Sequence, residues 1–329
     1  MTVCTPCGPD GPGAARGSTV APGTPRLRAV VGGPAPGADE GTAGPTCDHG
    51  HQPDRPPLAL ESTRTMTAAL VGHTGFVGSN LAAQRRFDAS FNSRTIEEIR
   101  GQAFDLIVVS GMPAAMWIAN ADPPADRAVL ERLIGCLLAA RAERVVVMST
   151  VAVYPRPVDV DEDSTIDPST QTPYGRHRLE LEHRLRDAFP HLLAVRLPGL
   201  FGPGLKKNAI YDLLNNHETD KIHAAATYQY YDLGRVWADV STALDAGLRI
   251  VNFATEPVSI REVAHAAFGI DHAVVPGGEP PRFDVRTRHA GVFGGSGGYL
   301  RDRGRVLGDL RRFVERERAT RSAPSGTHG

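Results

Sequence analysis

The chain has 329 residues, of which 41% are hydrophobic, and a formal net charge of −1 at pH 7. This length suits one large α/β domain or two lobes with a sizeable core. A net charge near zero gives no basic field for nucleic acid, no apolar run approaches the roughly 18 residues of a membrane span, and the first residues do not have the pattern of a secretory leader. We therefore predict a cytoplasmic protein with a small-molecule substrate and with neither a nucleic-acid nor a membrane partner.

Residues 1–65 differ in composition from the rest of the chain. They include 11 proline and 11 glycine residues, about a third of the segment, and bury too little apolar surface to offset the entropy of ordering. We predict a disordered tail; because Met66 directly precedes the first strand, an upstream extension is an alternative. Cys4, Cys7 and Cys47, with two histidines nearby, have the ligand types of a zinc site, but about 40 residues separate the last two, which favours incidental thiols and no metal.

From Met66 onwards, short apolar runs alternate with amphipathic segments. The runs read TAALVG, FDLIVVSG, ERVVVMST and HLLAVRLPGL, at residues 67–72, 104–111, 143–150 and 191–200. Strands that are apolar throughout are typical of a parallel sheet buried on both faces. The segments between them, such as residues 125–142 and 174–189, place apolar side chains on one helical stripe. The alternation predicts an α/β fold with a Rossmann-type doubly wound parallel sheet.

A glycine-rich loop follows the first strand and opens a helix. Its sequence, GHTGFVG, places three glycines at three-residue spacing. In this setting the first glycine permits a tight turn, the second lets the backbone approach a pyrophosphate, and the third lets helix and strand pack closely. The helix N-terminus also offers free N–H groups to phosphate. A glycine turn without a ligand is the alternative. We predict that the cofactor is bound here by Gly72, Thr74, Gly75, Phe76, Val77 and Gly78.

The end of the second strand distinguishes NAD from NADP. NAD is usually marked there by an acidic side chain that binds the ribose 2′-hydroxyl. Within residues 85–94, Asp88 comes early and the expected strand end reads Asn92, Ser93, Arg94. Because an arginine suits the 2′-phosphate, we predict NAD or NADP, with a slight preference for NADP, bound in part by Ser93 and Arg94. In the alternative, Arg94 only begins a polar helix.

The alternation of strand-like and helix-like segments becomes less regular after residue 200. A strand is expected at residues 249–255, a helix at 259–269 and a polar helix near the C-terminus. We predict an NAD(P)-binding Rossmann domain over residues 66–200 and a smaller substrate-binding lobe, with returning Rossmann elements, over residues 201–318. Residues 319–329 are expected to form a disordered tail.

Four segments together resemble the extended short-chain dehydrogenase/reductases, the group described as NAD-dependent epimerases and dehydratases. They are the glycine loop, MSTVAVYP at residues 148–155, PYGRHRLELE at 173–182 and RLPGLFGPG at 196–204. The resemblance covers roughly residues 67–270. It implies a nicotinamide dinucleotide and a nucleotide sugar or a similar carbonyl or hydroxyl substrate. Many members form homodimers through the helix that carries the catalytic tyrosine.

The family's catalytic trio is Ser or Thr, Tyr, and a Lys four residues after the Tyr. Mapped onto this chain, the trio becomes Thr150, Tyr174 and Arg178. In the family the hydroxyl binds the substrate oxygen and the tyrosine passes the proton. The lysine lowers the tyrosine pKa and holds the nicotinamide ribose, so Tyr174 and Arg178 are also predicted to contact the cofactor. The residues predicted to line the nicotinamide pocket after the third strand are Gly111, Met112 and Pro113.

Arg178 departs from the family pattern. Residues four apart share a helix face, and a cation beside a phenol favours the phenolate. Arginine keeps that charge, but its guanidinium is larger, planar and never a proton donor at working pH. We therefore predict an NAD(P)-dependent oxidoreductase or epimerase, with a catalytically impaired NAD(P)-binding sensor or scaffold as the alternative. His177 could add a titratable group, although a surface position is the simpler interpretation.

Two further positions narrow the reaction and the substrate site. In family members that dehydrate the sugar, the catalytic Thr is followed by Asp and Glu, whereas this chain has Val151 and Ala152. Elimination of water would lack its acid and base, so we predict an epimerase or a ketone reductase. Trp117, after the third strand, is expected to pack against the protein. A substrate diphosphate is predicted to be bound, with a solvated basic turn as the alternative, by Lys206, Lys207 and Asn208.

Overall fold

We describe residues 66–322 in a computed structural model of the chain. The predictions for residues 1–65, including the cysteines and histidines there, and those for residues 323–329 lie outside the described residues. The strands are β1 Ala68–Val71, β2 Ala89–Phe91, β3 Ala103–Val109, β4 Arg141–Thr150, β5 Val158–Val160, β6 Leu192–Leu197, β7 Gly199–Phe201, β8 Thr227–Tyr228, β9 Tyr230–Asp232, β10 Ile250–Asn252, β11 Val258–Ser259 and β12 Asp284–Val285. The helices are α1 Phe76–Gln84, α2 Met116–Ala121, α3 Pro123–Leu138, α4 Pro173–Ala188, α5 Ala209–Asn215, α6 Val236–Asp245, α7 Ile260–Val263 and α8 Arg303–Ser322.

Six parallel strands form the central sheet, in the order β2–β1–β3–β4–β6–β10. The register places Val71 of β1 beside Phe91 of β2 and beside Val109 of β3. The loops that follow these three strands therefore lie at one edge of the sheet. The strand order reverses at β1, and ligands of doubly wound sheets bind at such a switch point, beyond the carboxyl ends of the strands. The predicted fold class is confirmed.

Helices cover both faces of this sheet. On one face, Leu130 and Leu137 of α3 and Leu185 of α4 pack with Val71 and other strand residues. On the opposite face, the strands pack against α1 and α6. Burial on both faces explains why the central parts of these strands, such as residues 106–109 and 145–148, are continuously apolar rather than alternating in polarity.

The chain after β6 contributes both to the Rossmann layers and to a separate apolar cluster. β10 pairs with β6, and α6 belongs to the second sheet-covering cluster, so part of this region returns to the Rossmann layers. A separate apolar cluster joins α5, α7 and α8. Helix α8 continues to Ser322, four residues beyond the boundary predicted at residue 318. No helix in residues 66–322 is long and apolar enough to span a membrane.

Candidate functional site

The glycine-rich loop connects β1 to α1 at the switch point. Gly72 has φ of +89°, and a Cβ at this position would lie 2.5 Å from the Ser110 carbonyl oxygen. A Cβ on Gly78 would lie 2.1 Å from the Gly72 carbonyl oxygen. The N–H of Gly75 donates to that same carbonyl oxygen at 3.0 Å and closes the turn. The first and third glycines are thus required because backbone segments approach too closely for any side chain.

The first turn of α1 presents unpaired donors at this edge of the sheet. The first N–H groups of a helix lack intrahelical acceptors. The N-cap residue, Gly75, has no side chain that could cap them. Thr74 is exposed, while Phe76 and Val77 are half-buried. Free N–H groups beside a glycine turn suit a phosphate group.

The strand end that distinguishes NAD from NADP lies beside this loop. β2 ends at Phe91, so residues 92–94 follow the strand end as predicted. Ser93 and Arg94 are exposed, and the Arg94 N–H is held by the Asn92 side chain at 2.8 Å. Asp88 lies before the strand, where its carboxylate accepts a backbone N–H of β1 at 2.8 Å. The acidic residue therefore has a structural partner at the other end of β2, and Arg94 is the first charged residue in the sequence after the strand end.

Thr150 ends β4 and Tyr174 lies in the first turn of α4. The Thr150 side chain lies close enough to the Tyr174 phenol to lower its pKa, and Thr150 Oγ1 accepts the N–H of Ala152 at 3.1 Å. A Cβ on Gly175 would lie 2.3 Å from the Ala152 carbonyl oxygen, so this glycine lets α4 approach the turn after β4. The Tyr174 N–H donates to Asn120 Oδ1 of α2 at 2.9 Å. The structure thus brings together two members of the predicted trio.

Arg178, the third member, is buried and bound to protein groups. Its Nη1 contacts the Asp126 carboxylate of α3, and its Nη2 donates to the Pro113 carbonyl oxygen at 2.5 Å. The guanidinium carbon lies 3.9 Å from the centre of the Tyr174 ring. Nε is buried and has no hydrogen-bond partner among residues 66–322. The arginine therefore lies against the tyrosine ring and is anchored by α3 and by the loop after β3.

His177 belongs to the same cluster. It is 3% exposed, so the interpretation of His177 as a surface residue is wrong. Its Nδ1 lies 2.7 Å from Asp126 Oδ2, the oxygen that also contacts Arg178. We did not predict Asp126, although it lies four residues before Leu130 on the buried stripe of α3. No group of three or more potential metal ligands occurs in the described part of the chain.

The environment of Tyr174 favours its phenol form. Burial is the largest influence and raises the pKa of Tyr174 above its ordinary value of 10.0. Arg178 opposes this rise, and the Asp126 carboxylate adds to it. The Thr150 hydroxyl lowers the pKa of Tyr174 by a smaller amount. At neutral pH the side chain is therefore positioned to donate a proton.

The loop after β3 is held by two cations. Arg178 binds the Pro113 carbonyl oxygen, and Lys207 Nζ donates to the next one, that of Ala114, at 2.7 Å. Burial lowers the pKa of Lys207. Gly111 and Met112 are half-buried in the same loop. Lys207 thus links the region after β7 to the loop that is predicted to line the nicotinamide pocket.

The other predicted substrate residues have different surroundings. Asn208 caps α5: its Oδ1 accepts the N–H groups of Ile210 and Tyr211 at 3.0 and 3.2 Å. Its Nδ2 donates to the Leu200 carbonyl oxygen at 2.8 Å. Lys206 is exposed. Substrate binding by these residues stays a prediction, and the Asn208 side chain already has a structural role.

Trp117 does not pack against the protein as expected. Its exposed fraction is 58%, and its neighbours Met116 and Ile118 on α2 are 46% and 49% exposed. The expectation of a packing role is therefore wrong. Helix α2 is short, and it directs Ala119 rather than the larger residues into the core.

A second buried ion pair also involves helix α4. Arg196 of β6 and Glu182 of α4 are 2.7 Å apart, with side chains 4% and 0% exposed. The Ser149 hydroxyl contacts the same carboxylate, and Arg196 Nη1 donates to the Tyr154 hydroxyl at 2.8 Å. This network fixes α4 against β4 and β6, and so holds the helix that carries Tyr174.

The sequence model of the NAD dependent epimerase/dehydratase family matches residues 86–255, just over half of the chain. The chain belongs to this family. The match begins after the glycine-rich loop and includes Thr150, Tyr174 and Arg178. A search of curated proteins gave no significant match.

Solved structures of epimerases and reductases have a similar fold. The UDP-N-acetylglucosamine 4-epimerase of Methanobrevibacter ruminantium M1, in complex with UDP-N-acetylmuramic acid, has a TM-score of 0.61 at 13% identity, over 78% of this chain and 99% of that one. MoeE5 in complex with UDP-glucose and NAD has a TM-score of 0.58 at 18% identity, over 78% and 100%. The dTDP-4-dehydrorhamnose reductase of Bacillus anthracis, with NADP, has a TM-score of 0.59 at 14% identity, over 76% and 98%. At these identities the likeness concerns the fold.

Proposed function

We propose that this protein is an NAD(P)-dependent oxidoreductase or epimerase that acts on a nucleotide sugar or a similar carbonyl or hydroxyl substrate. The observation that carries the proposal is the placement of the Thr150 hydroxyl beside the Tyr174 phenol, at the carboxyl edge of the sheet that also bears the glycine-rich loop. Structures of similar fold contain NAD, NADP or UDP-linked sugars, which supports the same ligand classes here.

The residues present fit one end of a dinucleotide better than the other. At the glycine-rich loop, the close contact of Gly78 with Gly72 and the uncapped first turn of α1 leave backbone donors for a pyrophosphate. Arg94 would donate hydrogen bonds to a 2′-phosphate, which supports the preference for NADP. At the nicotinamide end, two guanidinium nitrogens of Arg178 are already bound to Asp126 and Pro113. Arg178 would therefore contact the ribose through an N–H that these bonds leave over, on Nε or Nη2, or after rearrangement.

The chain's own contribution to the reaction is proton transfer. When bound, the nicotinamide dinucleotide would supply or accept a hydride. The Thr150 hydroxyl would orient the substrate oxygen, and Tyr174 would give that oxygen a proton or take one from it. Lys207, and Lys206 beside it, would meet an anionic part of the substrate. Val151 and Ala152 offer no group for proton transfer at a neighbouring carbon, so we propose redox chemistry or epimerisation rather than dehydration.

The second candidate is a catalytically impaired NAD(P)-binding sensor or scaffold. The observation that favours it is the commitment of Arg178 to Asp126 and Pro113, because a family lysine would be free to hold the ribose. Both candidates predict dinucleotide binding. They differ in turnover and in the response to changes at Tyr174 and Arg178.

The test is a titration of the purified protein with NAD, NADP and a panel of nucleotide sugars, followed by nicotinamide absorbance in the presence of each bound substrate. The enzyme proposal predicts an absorbance change that Tyr174→Phe abolishes while dinucleotide affinity stays within a few-fold. Tyr228→Phe is the matched control, because Tyr228 lies in β8 and its ring stacks on Phe283, and it should retain turnover. Dinucleotide binding without turnover, with turnover gained in Arg178→Lys, would establish the impaired protein instead.

A further inference from the structure

Arg178 is paired with a buried counter-ion, the carboxylate of Asp126. The Arg178 and Asp126 side chains are each 4% exposed, and Asp126 Oδ2 contacts Arg178 Nη1 directly. The same oxygen faces His177 Nδ1 at 2.7 Å. Asp126 comes from α3, whereas the other two residues belong to α4. Helix α3 therefore supplies the carboxylate that pairs with the cation of α4.

The counter-ion changes what the cation can do to the tyrosine. A lone cation within about 4–6 Å of an acid stabilises the ionised form and lowers the pKa of that acid by roughly 1–3 units. When a carboxylate contacts that cation, the two fields largely cancel at a nearby group, since Coulomb energies of opposite sign and similar distance add to a small value. Arg178 lies 3.9 Å from the Tyr174 ring, yet it acts there as half of an ion pair.

The other groups around Tyr174 do not restore a net charge. His177 adjoins Arg178 on α4 and is bound to Asp126, while β4 contributes the Thr150 hydroxyl. Helix α2 contributes the neutral Asn120 amide and has no ionisable side chain. The charged side chains that face Tyr174 from these elements, Arg178 and Asp126, have opposite signs.

We propose that Asp126 is a positioning residue that neutralises Arg178 and, together with burial, keeps Tyr174 in its phenol form, the form that the reduction of a carbonyl group requires. This inference rests on the proposed function and narrows it. In that direction the Tyr174 O–H bond breaks and its proton passes to the carbonyl oxygen of the substrate. The C=O bond becomes a C–OH bond, and the reductant is a reduced nicotinamide dinucleotide. Solvent returns the proton to Tyr174 after product formation.

The direct test is the ionisation of Tyr174 in the cofactor-free protein. Carbon-13 at the tyrosine Cζ position reports the phenolate by its NMR shift, and loss of one signal in Tyr174→Phe identifies the residue. We expect Tyr174 to remain a phenol up to about pH 10 in the unaltered protein. In Asp126→Asn its pKa should fall by about one unit or more, because Arg178 then acts as a lone cation. An unchanged or higher pKa would overturn the proposal.

A matched control and a second variant separate this effect from general changes. Glu131→Gln removes an exposed carboxylate from the same helix and should leave the Tyr174 signal unchanged; an equal shift there would overturn the specific role of Asp126. Because Asp126→Asn leaves a buried cation unpaired and can unfold the chain, the double variant Asp126→Asn/Arg178→Gln replaces the ion pair with neutral groups. Its Tyr174 pKa should stay within about half a unit of the original. A rise of more than about one unit would show that Arg178 was not neutralised.

These measurements need no bound dinucleotide. If neither NAD nor NADP binds, the proposed function fails, while the Tyr174 titration still decides the role of Asp126. If a dinucleotide binds and the titration is as expected, the pH at which alcohol oxidation reaches half its maximal rate should fall by about one unit in Asp126→Asn, because oxidation needs the phenolate as its base. A midpoint that does not move would contradict the role of Asp126 in keeping Tyr174 protonated.

Discussion

Gly175 and Ala152 lie closer together than any side chain on Gly175 would allow. A Cβ on Gly175 would be 2.3 Å from the Ala152 carbonyl oxygen. Gly175 directly follows Tyr174, and Ala152 is bound through its N–H to Thr150. The contact therefore sets the separation between the two hydroxyl groups of the candidate site.

The first prediction concerns this contact. Gly175→Ala should lower the free energy of unfolding by about 1–3 kcal/mol, because α4 or the turn after β4 must move to admit the methyl group. Turnover should also fall, since the movement separates Tyr174 from Thr150. Urea denaturation and steady-state kinetics measure the two effects. Gly308→Ala in α8 is the control: its Cβ would meet only the Arg312 side chain, at 3.5 Å, and it should stabilise the helix by up to about 1 kcal/mol.

The glycine-rich loop gives the second prediction. Gly78→Ala places a Cβ 2.1 Å from the Gly72 carbonyl oxygen, so the first turn of α1 must shift and its N–H groups lose their alignment. We expect calorimetric titration to show at least a tenfold loss of dinucleotide affinity, about 1.4 kcal/mol. Gly135→Ala, within α3, meets only the end of the Arg100 side chain at 3.8 Å and should bind the dinucleotide normally. Equal affinities in both variants would place the cofactor elsewhere.

The third prediction addresses cofactor choice. Arg94 is exposed just beyond the end of β2, where it would meet the 2′-phosphate of NADP. Loss of one charge-assisted hydrogen bond costs about 1.5–3 kcal/mol, so Arg94→Ala should weaken NADP binding about tenfold or more. NAD affinity should change by less than about twofold, because NAD has no phosphate at that position. Parallel losses for both dinucleotides would exclude a role for Arg94 in discrimination.

The buried pair of Glu182 and Arg196 gives the fourth prediction. Glu182→Gln leaves the Arg196 charge buried without its carboxylate, which should lower the free energy of unfolding by about 3–5 kcal/mol. Glu131→Gln removes an exposed partner of Arg184, and this change should cost less than about 1 kcal/mol. Urea denaturation of both variants provides the comparison. Similar losses would mean that the buried network does not hold α4 in place.

The fold could be predicted from the sequence because its signals are local. Continuous apolar runs such as residues 106–109 mark strands that are covered on both faces, and the spacing of Gly72, Gly75 and Gly78 identifies the turn into α1. Both patterns follow from backbone geometry and burial, which neighbouring residues in the sequence already determine.

The surroundings of the site depend on contacts between distant residues. Asp126 lies 52 positions from Arg178, and no motif joins them; only its place on the apolar stripe of α3 hinted at burial. His177 has a polar side chain in a charged helix, so burial by α3 could not be inferred from α4 alone. Asn208 has the composition of a binding turn, but the capping bonds that occupy it arise from the direction in which α5 begins.

The most direct test of the account is calorimetric titration of the folded protein with NADPH and NADH, on the unaltered chain and on Gly78→Ala. The account predicts saturable binding of at least one dinucleotide to the unaltered chain, and loss of that binding in the glycine variant. Absence of heat and of any protection from unfolding with both dinucleotides would contradict it.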